Sequence, residues 1–131
     1  MREGDDLVYT FYKILAEWGV EGIIAGDCID ELACGYYTHQ DLGELTYQAH
    51  LSQLQRLQLL PLHQNSGSVH VYLPYASERV ATLFYQIPLY EKVDHTGRKL
   101  PIVNLARGRV PDEIIERKKY GFGTTASKVA V

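Results

Sequence analysis

No long apolar run occurs in this 131-residue chain, and none of its hydrophobic stretches approaches the roughly 20 residues that a helix needs to cross a bilayer. A membrane-spanning role is therefore not expected. Cysteine is scarce as well, with Cys28 and Cys34 the only two. Two thiols cannot make a disulfide framework, and their spacing fits no common zinc pattern. They read as small core residues. The opening residues "MREGDDLVYT" have none of the layout of a secretory signal, so a cytoplasmic location is expected. His39, His50, His63, His70 and His95 are scattered without paired ligand spacing. No base-stacking motif accompanies the basic residues, which leaves nucleic-acid binding without support.

The composition is that of a chain with a packed core. Apolar residues make up 46% and charged residues 22%, a globular balance at the size of one ordinary domain or of part of one. The net charge of −3 conceals a split, because residues 1–89 hold 11 acidic and 4 basic side chains whereas residues 90–131 hold 5 and 9. Such a split is either an ordinary solvated surface or the two sides of a site that handles a polyanion with metal.

Helical periodicity dominates. Leu7, Val8, Phe11, Tyr12, Ile14, Leu15 and Trp18 recur at helical spacing, and Gly19 marks the stop. "VEGIIA" at 20–25 is short, β-branched and followed by Gly-Asp, and reads as a strand buried on both faces. A helix with Asp27 as N-cap and Asp30 and Glu31 in its first turn follows. A longer helix runs from Glu44 to Leu60, where Pro61 is expected to end it. "VHVYLPY" alternates like an edge strand limited by Pro74. Helices are expected over 76–85 and over "KLPIVNLARG", closed by Gly108, and over "PDEIIERKK", with an extended path at Pro88. The ten tyrosines track the apolar stripes and are expected at the edge of the core. The fold class is α/β, mostly helical, with one confident parallel strand whose neighbours are expected in sequence outside this chain.

Three carboxylates, Asp27, Asp30 and Glu31, crowd the carboxyl end of the first strand. A capped helix start accounts for them without any function. Hard-cation chemistry is the other reading, since magnesium takes one or two carboxylates and leaves its remaining positions to water and phosphate. In open α/β sheets, ligands bind at this end of the strands.

"AGDCIDELACGYY" resembles the second signature of the asparagine synthetase-type ATP pyrophosphatases, Ser-Gly-acid-Gly-x-Asp-Glu-x-x-x-Gly-Tyr. Gly26, Asp27, Asp30, Glu31, Gly35 and Tyr36 match it, while Ala25 stands for the usual Ser and Cys28 for the usual Gly. Further along, "VYLPYASERVATLFYQIPLYEKV" and "RKLPIVNLARGRVPDEIIERKKYGFG" are similar to later segments of the same family. The last of these carries its Arg-x-Lys-x-Gly-Phe motif on Arg117, Lys119, Gly121 and Phe122.

The resemblance implies the carboxyl-terminal half of an adenine nucleotide alpha hydrolase-like domain spanning residues 1–131. It also implies a reaction in which ATP adenylates a carboxylate such as aspartate, pyrophosphate leaves, and ammonia or an amine attacks. Carried over residue by residue, Asp30 is a magnesium ligand with Glu31 either supporting it or capping the helix. Lys119 stabilises the reacting α-phosphate. Asp27 stands where residue identity follows the substrate amine. Gly26, Arg117 and Gly121 approach the nucleotide.

The family's first signature, a Ser-Gly-Gly-x-Asp-Ser loop that wraps the pyrophosphate, has no counterpart here. The resemblance therefore implies a second polypeptide, or a further segment, that carries this loop, and a separate source of ammonia if glutamine is the donor. An incomplete sheet exposes an edge and a face, so a partner or self-association is expected. The alternative is a non-catalytic binding or assembly subunit that retains half of the fold.

Overall fold

The computed structural model describes residues 5–118. Lys119, Gly121 and Phe122 lie outside the described residues. Helix α1 (Asp5–Glu17) stops at Gly19, whose φ of 76° is the left-handed geometry that closes a helix. The chain then enters strand β1 (Gly22–Ile24).

Short helices α2 (Ile29–Leu32) and α3 (Tyr37–Leu42) lead into the long α4 (Glu44–Leu54). The expected stop at Pro61 does not occur. Residues Gln55–Leu59 widen into π-helical geometry, with the Leu60 N–H reaching back to the Gln55 carbonyl, and α5 (Leu60–Asn65) continues through the proline. Proline lacks an N–H, and in an α-helix its ring clashes with the carbonyl four residues back. The wider turn before it removes that conflict without breaking the helix axis.

Strand β2 (His70–Tyr72) falls within the alternating "VHVYLPY" and corrects one expectation: β1 has a partner inside this chain. The two run parallel, with Gly22 opposite His70, Ile23 opposite Val71 and Ile24 opposite Tyr72. The Ala25 N–H donates to the Tyr72 carbonyl at 2.9 Å and the His70 N–H to the Glu21 carbonyl at 2.9 Å. Among the described residues the sheet has these two strands alone. It is not buried on both faces, since Ile24 is 77% exposed and Tyr72 62%.

After a 3-10 turn (Pro74–Ala76), α6 (Glu78–Gln86) is capped by Ser77, whose side chain accepts from the Val80 N–H. Pro88 is extended, as expected, but α7 (Leu89–Lys92) forms directly after it. Helices α8 (Leu100–Ala106) and α9 (Asp112–Glu116) complete the described chain. The result is a mostly helical assembly around a two-stranded parallel sheet, compatible with part of an α/β domain.

The main core gathers Cys28, Leu32, Ala33 and Phe84, with Leu51, Leu54, Leu73 and Ile102 packed around them. Cys34, Tyr47 and Val93 form a second cluster. Both cysteines are free, buried and part of these cores. The tyrosines divide: Tyr12 and Tyr47 are buried, whereas Tyr9, Tyr37, Tyr72, Tyr85 and Tyr90 are exposed. The apolar residues of α1 likewise face outward at Leu7, Phe11, Ile14 and Trp18.

Candidate functional site

From Ile24 the chain turns through Gly26 and Asp27 into α2. Asp27 is not the N-cap. That position belongs to Cys28, which adopts φ 76° and makes no capping bond through its side chain. Left-handed backbone favours glycine, the residue that the family pattern has here.

The three carboxylates fan out. Asp27 is at the rim of an apolar cleft of about 350 Å³, with Phe11, Tyr12, Ile23 and Leu62 among its walls. Removal from water pushes the Asp27 carboxyl above its ordinary range, and the nearby charge of Asp30 adds to this. Asp30 and Glu31 both lie in the first turn of α2, as the sequence indicates. Asp30 forms an ion pair with Lys99 at 2.9 Å. Glu31 turns inward to 4% exposure and accepts a 2.6 Å hydrogen bond from the Tyr36 hydroxyl. It lines a smaller cleft of about 270 Å³ with Tyr36, His50, Gln53 and Gln58. Glu31 thus lines a different cleft from Asp30 and Lys99.

Asp30 opens on a large cleft, about 1040 Å³, whose walls include Arg98, Lys99, Arg107, Arg117 and Lys118. Local backbone chemistry places these cations. The Asp94 carboxylate accepts from the Thr96 N–H at 2.7 Å, the Thr96 hydroxyl at 2.6 Å and the Gly97 N–H at 3.1 Å, which closes the turn before Arg98. These bonds hold the Asp94 carboxyl below its ordinary range. Arg98 then donates to the Gly35 carbonyl at 2.8 Å and lies 3.7 Å over the Tyr37 ring. The Lys99 N–H donates to the Cys34 carbonyl at 3.3 Å. In this way a turn remote in sequence is fastened against the corner between α2 and α3.

A cleft with five cations and two carboxylates, Asp30 and Glu116, has the charge balance to take a polyanion, and a hard cation held by a carboxylate would suit the same ligand. Asp30 fits as one carboxylate of a magnesium shell whose other positions come from phosphate and water. Among the described residues no group of three or more His, Cys, Asp or Glu could hold a metal, so such a shell takes further ligands from elsewhere. Of these five cations the sequence motif singles out Arg117 but not Arg98, Lys99, Arg107 or Lys118. The signal for them was the basic excess of the last third of the chain.

The asparagine synthase family model matches residues 64–130. The chain belongs to the asparagine synthase family. The matched span contains all five cations of the large cleft and the position of Lys119, and begins after the acidic segment. The Asp30–Lys99 ion pair joins the two. No curated protein and no solved structure matches the chain at a significant level. Among the described residues no helix is long and apolar enough to cross a membrane.

Proposed function

We propose that this asparagine synthase family chain supplies the carboxyl-terminal part of an ATP-dependent amide-forming ligase. An acid such as aspartate is activated by attack of its carboxylate on the α-phosphate of ATP, with loss of pyrophosphate. Ammonia or an amine then attacks the acyl adenylate and AMP leaves. The carrying observation is the ion pair of Asp30 with Lys99 in a cleft walled by Arg98, Arg107 and Arg117.

In this reading Arg98, Lys99, Arg107 and Arg117 bind and orient the polyphosphate, and Asp30 would hold magnesium. Magnesium would neutralise phosphate charge. Gly26 and Gly121 let the backbone approach the nucleotide. Lys119 stabilises charge at the α-phosphate; a preorganised donor of this kind contributes about 2.7 to 4 kcal/mol. Asp27, with its raised pKa, is suited to accept a proton from the attacking amine. Glu31, held by Tyr36, does not join the metal. A phosphate loop comes from a second polypeptide or a further segment, which also covers the exposed faces at Ile24 and Tyr72.

The test is aspartate-dependent exchange of pyrophosphate into ATP, with magnesium, for this chain alone and with the polypeptide that carries the loop. Exchange is expected in the combination and should fall by about 100-fold or more in Lys119→Ala. No exchange in any combination overturns the reading.

One observation favours a second reading, a non-catalytic assembly subunit. Cys28 occupies a left-handed position at which the family pattern has glycine, a strain that glycine would avoid. That reading requires partner binding and biological function to survive both Asp30→Asn and Lys119→Ala.

A further inference from the structure

The cleft beside Glu31 is separate from the basic one and has the opposite electrostatic character. Its walls come from the start of α2, the α2–α3 corner, α4 and the π-helical stretch: Glu31, Tyr36, His50, Gln53, Leu57 and Gln58. No lysine or arginine is among these residues. Glu31 is 4% exposed, and among the described residues its carboxylate accepts a hydrogen bond from the Tyr36 hydroxyl. Burial, and next the hydrogen bond and charge of Glu31, push the Tyr36 hydroxyl well above its ordinary range, so it remains a neutral donor. A buried carboxylate with a neutral partner is incompletely compensated, and a cation supplies what is missing.

The other walls suit a cation as well. The Tyr36 and His50 rings meet edge to face at 4.7 Å, and an aromatic face attracts an ammonium group. Gln53 and Gln58 line the same cleft from successive turns, and a side-chain amide can offer its carbonyl oxygen as an acceptor. The cleft is at the small end for ligand sites. Gln58 and Leu57 also line the apolar cleft that holds Asp27, so the π-helical stretch is a wall shared by the two. π-Helical turns often occur at functional sites.

We propose that the Glu31 cleft binds a small primary ammonium group, either ammonium itself or a short alkylammonium. The carboxylate and the two glutamine carbonyls accept its N–H bonds, and the aromatic walls exclude larger or anionic ligands. The site deepens the ligase reading by providing a place for the nitrogen donor next to the Asp27 cleft. Its test, however, is a binding measurement that does not depend on ATP chemistry, so the two can fail separately.

The test uses the full chain at constant ionic strength, titrated in separate arms with ammonium, ethylammonium, tetramethylammonium and sodium chloride, with nitrogen–proton correlation spectra as the readout. Saturable shifts confined to Tyr36, His50, Gln53 and Gln58 are expected with ammonium or ethylammonium. Tetramethylammonium, which has no N–H, and sodium should give none. Glu31→Gln keeps the shape, removes the charge and should weaken binding about tenfold or more. If that variant does not fold, Tyr36→Phe serves in its place. It removes the competing donor and should retain or tighten binding. Equal shifts with sodium, or unchanged affinity in a folded Glu31→Gln chain, overturn the proposal, as does loss of binding in Tyr36→Phe.

Discussion

The Cα of Gly35 lies directly against the Asp30 carboxylate, where any Cβ would overlap the side-chain oxygen. The same glycine donates its N–H to the Asp30 carbonyl at 2.7 Å and accepts from Arg98 at 2.8 Å. Gly35→Ala should therefore push Asp30 off Lys99 and loosen Arg98 together. Overpacking of this kind costs about 1 to 3 kcal/mol. Urea unfolding should show the loss, and the Asp30 carboxyl carbon resonance should move. An unchanged resonance would mean that the corner yields elsewhere.

Alkaline pH should destabilise the protein through its two cysteines. Burial, the leading cause for both, pushes the Cys28 and Cys34 thiols up to about 11, from an ordinary 9.0. Between these values the unfolded chain has released protons that the folded chain retains. Stability from these groups is thus complete below pH 9 and lost as pH rises to 11, at up to about 1.4 kcal/mol per unit for each thiol. Unfolding midpoints across pH 8 to 11 should fall steeply. The fall should be shallower in Cys28→Ala and in Cys34→Ala.

Much of the architecture was legible in local patterns. The helical stripe of α1, the strand "GII", the placement of Asp30 and Glu31 in one turn and the stop at Gly108 follow from periodicity and from glycine and proline chemistry. What local pattern does not carry is compensation over distance. Pro61 is a helix breaker by its own chemistry, yet the π-helical turn before it absorbs the conflict. Asp27 has the chemistry of an N-cap, but the turn places Cys28 there instead. The divergence of three neighbouring carboxylates into three clefts depends on Tyr36, five residues beyond Glu31, and on Lys99 and the Asp94 turn, which come from a distant part of the chain. Spacing alone cannot show this.

Lys92 is a test of how a buried ammonium is tolerated. It is 1% exposed, donates to the Tyr47 hydroxyl at 2.7 Å and lies 4.2 Å from the centre of that ring. Burial lowers its pKa from 10.5. Tyr47→Phe removes the hydroxyl that accepts from Lys92 and should cost about 1 to 3 kcal/mol. Lys92→Met should be neutral or stabilising at pH 7. The sign with pH follows from the lowered value: folding expels a proton, so the wild-type lysine costs less as pH rises towards 10.5. The advantage of Lys92→Met measured by urea unfolding should therefore shrink between pH 7 and pH 10. An advantage that grows would show that the lysine is held charged.

The Asp30–Lys99 pair separates stability from binding. Both side chains are partly exposed, at 23% and 32%, and a pair of this kind contributes about 0 to 1 kcal/mol. Lys99→Met should accordingly change the unfolding free energy by less than about 1 kcal/mol. A polyphosphate ligand, by contrast, meets Lys99 together with Arg98, Arg107, Arg117 and Lys118 in one cleft, where each cation adds to the attraction and to its dependence on salt. Inorganic triphosphate binding, measured by calorimetry at low and moderate salt, should weaken in Lys99→Met and respond less to salt. Asp30→Asn removes one of the two anions, Asp30 and Glu116, from the same cleft, so without magnesium it should tighten triphosphate binding. If both variants weaken metal-free binding alike, Asp30 acts by positioning Lys99 rather than by opposing the ligand's charge.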